Sequence, residues 1–288
     1  MTTLVQAWTA ARDRLKSTGI DTPVIDARLL LEAAAGATRA DLLNDPHRPL
    51  TDEQVQTLDA YLERRERREP IAHILGRKGF WTVLLSVGPQ VLTPRPDTEL
   101  VVIAALERLD PASPARILDL GVGSGAILLA LLAERPGAKG LGVDTSEEAL
   151  AVARENAANL GLAGRAALLR GDWTAGLEAE SFDLVVSNPP YIATAEIQAL
   201  DPEVRQYEPL EALDGGPDGL DAYRRLAPEI LRVLKPGGDF VVEIGHDQAK
   251  AVVGLFEAAG ATDLELRQDL GDRDRVVAGR RLTNQSRP

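Results

Sequence analysis

The chain has no cysteine, and this absence excludes several kinds of chemistry. Disulfides, thiolate nucleophiles and cysteine-ligated zinc sites are all ruled out. The chain has three histidines, His47, His73 and His246. They are far apart in the sequence and show no metal-ligand spacing, so we predict no metal site. A chain without cysteine also fits a cytoplasmic location, which we expect here.

Long apolar segments are missing as well. No run of about 18 apolar residues occurs, so we expect no membrane-spanning helix. The start of the chain, Met1 to Leu4, lacks the basic segment leading into an apolar one that marks a signal peptide. The formal net charge is −12, whereas a protein that wraps a nucleic-acid backbone needs basic surface to neutralise phosphates. We therefore expect no direct nucleic-acid binding.

The 288 residues are enough for one large domain or two smaller ones. Residues 1–70 have apolar residues at helical spacing, and the Thr51-Asp52-Glu53-Gln54 segment has the pattern of a capping box. Pro23 suits the first position of a helix, and Gly36 suits its end. No catalytic constellation occurs in this region. We predict a helical domain over 1–70 that docks a substrate.

Residues 71–98 have the glycine and β-branched composition of a hairpin and are predicted to link two domains. Their last part, from Leu92, is stiff and polar and leads into a helix at Leu100. Asp97 or Thr98 is a candidate cap for that helix. A catalytic domain is predicted over 99–282, in which Pro236 to Gly238 form a turn. A loose tail is predicted over 283–288.

From Arg116 the pattern becomes strand, loop and helix, repeated. The strand 117–120 leads into a glycine-rich loop, whose backbone can approach a ligand closely. Nicotinamide and flavin enzymes use a similar loop. Here the spacing is G-x-G-x-G, and Asp119 within the strand would repel a pyrophosphate but suits a cationic ligand with an amino-acid tail. The candidate ligand-binding residues are Asp119, Gly121, Val122, Gly123, Ser124 and Gly125.

The next strands also end in acidic residues. Asp144 follows the strand 141–143 and is placed to accept hydrogen bonds from both hydroxyls of a ribose. The strand 166–169 is followed by Asp172, a candidate acceptor for an adenine amino group, and by Trp173, a candidate cover for the ring. For Asp172 and Trp173, packing at the strand end is an equal alternative.

An Asn-Pro-Pro-Tyr segment follows the buried strand 182–186. Proline restricts the residue before it to extended conformations, so the asparagine is held just past the carboxyl end of the strand, where ligands bind in open α/β sheets. The asparagine side chain, the next carbonyl and the tyrosine ring form a receptor for a planar NH2 group. The alternative is an Asx-Pro turn that closes the strand. The candidate catalytic and substrate-binding residues are Asn188, Pro189, Pro190 and Tyr191.

These motifs, in this order, resemble the class I S-adenosylmethionine-dependent methyltransferases. The narrower resemblance is to the release-factor glutamine N5-methyltransferases, the HemK/PrmC family, and it covers nearly the whole chain. It is also carried by the segments 70–76, 92–99 and 207–221. Two departures are visible: Val122 stands where the family more often has threonine, and His73 stands where glutamine is common.

The resemblance implies an α/β fold with a seven-stranded, mostly parallel, Rossmann-like sheet whose last strand is antiparallel. It implies S-adenosylmethionine as cofactor, bound by the glycine-rich loop, Asp119, Asp144, Asp172, Trp173 and Asn188. The implied substrate and partner is a class I peptide-chain release factor, methylated on the glutamine of its Gly-Gly-Gln motif, and a monomeric enzyme is expected. The alternatives are glutamine methylation of a ribosomal protein, amino-group methylation of nucleic acid, and a non-catalytic S-adenosylmethionine-binding protein.

Overall fold

The computed structural model describes residues 1–283, so most of the predicted tail, 284–288, lies outside the described residues. The chain forms two compact units. Of the described residues, the first unit comprises 1–77 together with 201–207, and the second comprises 78–200 together with 208–283. The segment 201–207 therefore belongs to the helical unit although it lies far along the sequence.

The helices and strands are numbered in chain order. The α-helices are α1 Leu4–Ser17, α2 Pro23–Ala35, α3 Arg39–Asn44, α4 Asp52–Glu66, α5 Ile71–Leu75, α6 Glu99–Arg108, α7 Ala126–Glu134, α8 Glu147–Asn159, α9 Pro202–Arg205, α10 Asp221–Val233 and α11 Ala249–Ala259. The strands are β1 Arg77–Phe80, β2 Val83–Ser86, β3 Arg116–Leu120, β4 Lys139–Asp144, β5 Ala166–Arg170, β6 Phe182–Ser187, β7 Leu234–Glu243, β8 Ala261–Gln268 and β9 Asp274–Arg281. Short 3-10 helices cover Pro96–Thr98, Thr194–Ala199 and Leu210–Ala212.

Local signals in the sequence account for the helix ends of the first unit. Thr51 and Gln54 form the predicted capping box, with Thr51 N to Gln54 Oε1 at 3.0 Å and Gln54 N to Thr51 Oγ1 at 3.2 Å. Pro23 opens α2, and Gly36 ends it with a φ of 58°, a left-handed conformation that costs a glycine little. The helices bury one apolar core that includes Leu4, Leu30 and Leu58.

The second unit is built on a seven-stranded sheet of order β5-β4-β3-β6-β7-β9-β8. Neighbouring strands from β5 to β7 are parallel, and β9 is antiparallel to both β7 and β8. This confirms the predicted sheet with its antiparallel last strand. The hairpin predicted within 71–98 is the separate two-stranded sheet β1-β2.

One sequence prediction needs correction. Pro236 to Gly238 were predicted to form a turn before a strand, but they lie within β7, which starts at Leu234. Phe182 is paired with Leu234 and Leu184 with Asp239, so β7 has more residues than β6 over this stretch. The proline and glycines therefore form a bulge, where a proline without an N–H does not break the ladder.

The apolar helix α7 explains how the sheet is covered. Every residue from Ala126 to Leu132 is buried, which an amphipathic surface helix would not show.

An aromatic pair joins β7 to α11, since Phe240 and Phe256 stack with ring centroids 4.1 Å apart. No helix in the range 1–283 is both long and apolar enough to cross a membrane.

Candidate active site

The strand order places the predicted motifs at one point of the sheet. The chain runs outward from β3 through β4 to β5, then returns to β6 on the other side of β3. Ligands bind in the crevice at such a reversal, outside the carboxyl ends of the strands. Ser187 ties two of these ends together, since its hydroxyl donates to the Leu120 carbonyl at 2.7 Å.

A cavity of about 490 Å³ opens at this edge. Eight of the predicted site residues line it: Gly121, Val122, Gly123, Ser124, Asp144, Trp173, Asn188 and Pro190. Five others lie outside its lining: Asp119, Gly125, Asp172, Pro189 and Tyr191. The structure thus brings together residues from four strand ends that are up to about seventy residues apart in the sequence.

The glycine-rich loop is fixed to the end of β4. The N–H groups of Gly121 and Val122 both donate to the Val143 carbonyl, at 2.9 and 3.0 Å, and Gly123 N donates to Asp144 Oδ2 at 2.9 Å. Gly123 has a φ of 51°, and a Cβ added to it would meet no protein atom within 4 Å. The cavity therefore reaches the backbone at Gly123, as a site for a closely held ligand requires.

Gly125 has a different reason to be glycine. A Cβ at this position would lie 2.9 Å from Leu129 Cδ1, and the residue has a φ of 85°. Its small size therefore serves the packing of the first turn of α7 rather than the lining of the cavity.

Asp144 organises the loop and the next helix at once. Besides the bond from Gly123, its Oδ1 accepts from Ser146 N at 2.9 Å, and the Ser146 hydroxyl caps α8 by accepting from Ala149 N at 3.1 Å. An ionised carboxylate has about four acceptor sites, so both oxygens retain capacity for ligand hydroxyls. The ribose contact of Asp144 stays a prediction.

Asp119 is a buried carboxyl group behind the glycine-rich loop. It is 1 % exposed, its Oδ2 accepts from Leu128 N at 3.2 Å, and its Oδ1 has no hydrogen-bond partner among the described residues. Burial, with a smaller contribution from the charge of Asp144, raises the pKa of Asp119 to about 7. A nearby cationic ligand would favour its ionised form.

The side chains of Asp172 and Trp173 lie in different surroundings. The Asp172 carboxylate pairs with Arg225 at 3.1 Å and is 57 % exposed, outside the cavity lining. Trp173 lines the cavity and has a φ of 52°, which is uncommon for a bulky residue. Such backbone strain is typical of functional sites and supports Trp173 more than Asp172 as a ligand contact.

The Asn188 side chain does not form a local turn. Its Nδ2 donates to Thr98 Oγ1 at 3.2 Å, ninety residues away in sequence. In the described part of the chain, neither Asn188 Oδ1 nor the Pro189 carbonyl accepts a hydrogen bond. Two acceptors thus remain at the end of β6. The Tyr191 hydroxyl donates to Glu243 Oε1 at 3.4 Å, which orients the tyrosine.

Sequence reasoning missed several residues of the site. Thr98 was a candidate helix cap, but its side chain makes no capping bond and lines the cavity instead. Arg95 lines the cavity as well, and its Nη2 bonds both oxygens of the buried Glu208 at 2.8 and 2.9 Å. Pro209, Glu211 and Ala212 complete this side. The only signal for them was the family resemblance of the segments 92–99 and 207–221.

Comparison with known proteins of similar sequence shows which family this chain belongs to. A family model described as the PrmC N-terminal domain matches residues 6–76, and one described as a methyltransferase domain matches residues 112–266. A release factor glutamine methyltransferase of Caulobacter vibrioides is 66% identical over 277 residues, covering 96% of each chain. This chain belongs to the release factor glutamine methyltransferase family.

A second relative of this family, from Rhodospirillum rubrum, is 49% identical and is covered over 82% of its length. Among solved structures, a methyltransferase from Pyrococcus furiosus has a TM-score of 0.51 at 16% identity, covering 69% of this chain and 88% of that one. A ribosomal protein L11 methylase from Lactobacillus delbrueckii has a TM-score of 0.50 at 22% identity, with 69% and 84% covered. These two structures show the methyltransferase fold of the second unit, and family membership makes S-adenosylmethionine the cofactor.

Proposed function

We propose that this enzyme methylates the side-chain amide nitrogen of the glutamine in the Gly-Gly-Gln motif of class I peptide-chain release factors. The observation that carries the proposal is the Asn188 amide, whose NH2 group is held by Thr98 while Oδ1 accepts nothing from the described residues. An acceptor fixed in this way suits a planar NH2 donor, and both relatives are named release factor glutamine methyltransferases, which points to the glutamine of a release factor.

The cavity fits S-adenosylmethionine. Gly123 leaves open space for a ligand, Asp144 has free acceptor sites for ribose hydroxyls, and Trp173 offers a ring face. The unpartnered Oδ1 of Asp119 adds a buried acceptor behind the loop. When bound, this cofactor supplies an electrophilic methyl group.

The chain's contribution to the reaction is orientation. An amide nitrogen is a poor nucleophile because its lone pair is delocalised, and its pKa is too high for a side chain to deprotonate it in advance. We propose that Asn188 Oδ1 and the Pro189 carbonyl accept the two amide hydrogens and that Tyr191 packs on the amide plane. Positioning of this kind supplies about 7–11 kcal/mol in the best cases. We assign no general base, since the nitrogen loses its proton only as the new bond forms.

Other substrates are less well supported. A ribosomal-protein glutamine presents the same amide, but the two relatives described above are named for release factors. A nucleic-acid amino group is also planar, yet the net charge of −12 disfavours binding to phosphates. We further propose a cytoplasmic, monomeric enzyme that does not bind nucleic acid directly.

The test uses labelled S-adenosylmethionine with three substrates: a purified class I release factor, ribosomal protein, and DNA or RNA. We expect label on the release factor alone, and none on a release factor whose Gly-Gly-Gln glutamine is replaced by alanine. Label on nucleic acid but not on the release factor would overturn the proposal.

Variants then test the role of Asn188. Removing one well-placed polar group from a transition state costs on the order of 10²–10³ in kcat. We expect that loss for Asn188→Ala, with little change in cofactor affinity, and a severe loss for Asn188→Asp. Asn159→Ala, at an exposed position that ends α8, is the matched control. Normal turnover by Asn188→Ala would contradict the orientation mechanism.

A further inference from the structure

A side-chain amide from outside the cavity holds the backbone at the end of the Asn-Pro-Pro-Tyr segment. Gln248, just before α11, donates from Nε2 to the Tyr191 carbonyl at 2.9 Å and to the Gly219 carbonyl at 3.2 Å. Its Oε1 accepts from Gly245 N at 3.0 Å. These partners fix the direction of the amide, since a carbonyl can only accept a hydrogen bond and an N–H can only donate one.

The loop 213–219 pairs with the backbone directly after Tyr191. The Ile192 N–H donates to the Leu213 carbonyl at 3.0 Å, and the Ile192 carbonyl accepts from Gly215 N at 2.8 Å. These bonds form a short parallel bridge. A segment that the sequence marked only through the family resemblance is thus attached to the end of the Asn-Pro-Pro-Tyr segment.

Two glycines of this loop leave no room for a side chain against Tyr191. A Cβ added at Gly215 would lie 2.8 Å from Tyr191 Cα, and one added at Gly219 would overlap the Tyr191 carbonyl oxygen. Because protein interiors are close-packed, extra volume at such a contact displaces its neighbours. We call Gln248, Gly215 and Gly219 the Tyr191 clamp.

The two prolines connect the position of Tyr191 to the groups proposed to orient the substrate. The proline ring holds φ near about −65°, and a residue that precedes a proline is restricted to extended conformations. Pro189 and Pro190 are restricted in the first way, and Asn188 and Pro189 in the second. The segment therefore has few free rotations, and Thr98 holds its other end through Asn188 Nδ2. A shift of the Tyr191 carbonyl would consequently turn the Pro189 carbonyl as well.

We propose that the Tyr191 clamp consists of positioning residues that set the direction of the Pro189 carbonyl and of the Asn188 side chain. The three clamp residues lie outside the lining of the cavity, so they act through the backbone and not by touching the cofactor or the substrate. This inference rests on the proposed function, in which those two groups accept the hydrogens of the substrate amide.

The first variant is Gln248→Glu, which removes the two donated hydrogen bonds and keeps the accepted one. A carboxylate still accepts from Gly245 N, and a negative charge at the start of α11 suits the helix dipole. It has no hydrogen for the Tyr191 and Gly219 carbonyls. Misplacement by about 1 Å costs about 10²-fold in rate. On a release factor we therefore expect kcat to fall about 10- to 100-fold, with KM and cofactor Kd within about threefold.

Circular dichroism and calorimetry with S-adenosylmethionine verify that the variant is folded. A wild-type kcat in folded Gln248→Glu would overturn the inference.

A double variant separates positioning from a general loss of structure. If the clamp acts through the acceptors of the substrate amide, Gln248→Glu should lower kcat by a smaller factor in an Asn188→Ala background, because one acceptor is already missing. Single-turnover methylation of a release factor with labelled cofactor measures both factors. The same factor in both backgrounds would mean a purely structural role and would overturn the inference.

Gly215→Ala decides the question if Gln248→Glu does not fold. The added methyl group displaces Tyr191 and leaves the Gln248 side chain in place, so we expect a lower kcat with KM and cofactor Kd near the wild-type values. Gly254→Ala on α11 is the matched control, because a Cβ there would meet no neighbouring group of the described residues within 4 Å. Equal kcat values in these two alanine variants would overturn the inference.

The same measurements distinguish this inference from the proposed function. If the wild type does not methylate the release factor, the proposed function fails, and this inference fails with it. If the wild type and Asn188→Ala behave as expected while the clamp variants keep the wild-type kcat, this inference alone fails.

Discussion

A buried ion pair in the helical unit allows a quantitative prediction. Arg65 Nε on α4 lies 2.8 Å from Asp26 Oδ2 on α2, and the two side chains are 8% and 6% exposed. The Thr22 hydroxyl donates to the other oxygen of Asp26 at 2.9 Å. Arg65 Nη1 also pairs with Glu203 Oε1 at 3.0 Å, which holds the segment 201–207 on this unit. Asp26→Asn preserves the side-chain shape but removes one charge partner of a buried guanidinium.

The size of the effect follows from burial. Removing one partner of a buried ion pair costs about 3–5 kcal/mol, because the remaining charge is left without compensation. Here Glu203 still compensates Arg65, so we expect a loss of about 2–3 kcal/mol. The matched control lies at the end of the same helix: Glu63 on α4 and Arg67, just after it, are 3.8 Å apart, and the Arg67 and Glu63 side chains are 72% and 59% exposed. Glu63→Gln should therefore cost less than about 1 kcal/mol.

Hydrogen exchange measures the effect locally, which matters in a chain with two compact units. In Asp26→Asn, the opening free energy of the α2 and α4 amides should fall by the predicted amount. Exchange over 201–207 should also become faster, since Glu203 shares Arg65. If Asp26→Asn changes protection no more than Glu63→Gln does, the buried pair contributes nothing to the stability of this unit, and the reasoning is wrong.

Two further predictions concern the cofactor site. Asp144→Ala should weaken S-adenosylmethionine binding by about 1.5–3 kcal/mol per lost charge-assisted hydrogen bond, measured by calorimetry. Unchanged affinity would remove Asp144 from the site. The second prediction is that Asp119 makes stability depend on pH: burial raises its pKa to about 7, so the folded cofactor-free protein holds a proton that the unfolded chain has lost above about pH 4. The free energy of unfolding should fall as pH rises from about 4 through 7, by at most about 4 kcal/mol from this group. Asp119→Asn should flatten that part of the profile in denaturant unfolding at a series of pH values, and identical slopes would contradict the assignment.

Much of the architecture was predictable from the sequence because its signals are local. The capping box of Thr51 and Gln54 and the left-handed glycine at Gly36 act within a few residues, so the same pattern gives the same geometry in most contexts. The strand-loop-helix repeat around Gly121 to Gly125 acts over a similarly short range. Parallel strands joined by helices place their carboxyl ends at one edge, so the positions of Asp144 and Asn188 after two such strands already indicate one shared edge of the sheet.

Tertiary structure decided the features that depend on which distant residues meet. The sequence shows Thr98 as a helix cap and gives no reason to connect it with Asn188, yet packing of α6 against the sheet makes it a hydrogen-bond partner of Asn188. It likewise turns Asp172 toward Arg225, and it brings Glu203 to Arg65 across 138 residues of sequence. These contacts depend on how whole helices and strands pack against each other. The residues that flank a side chain in the sequence do not determine that packing, so they do not predict the contacts.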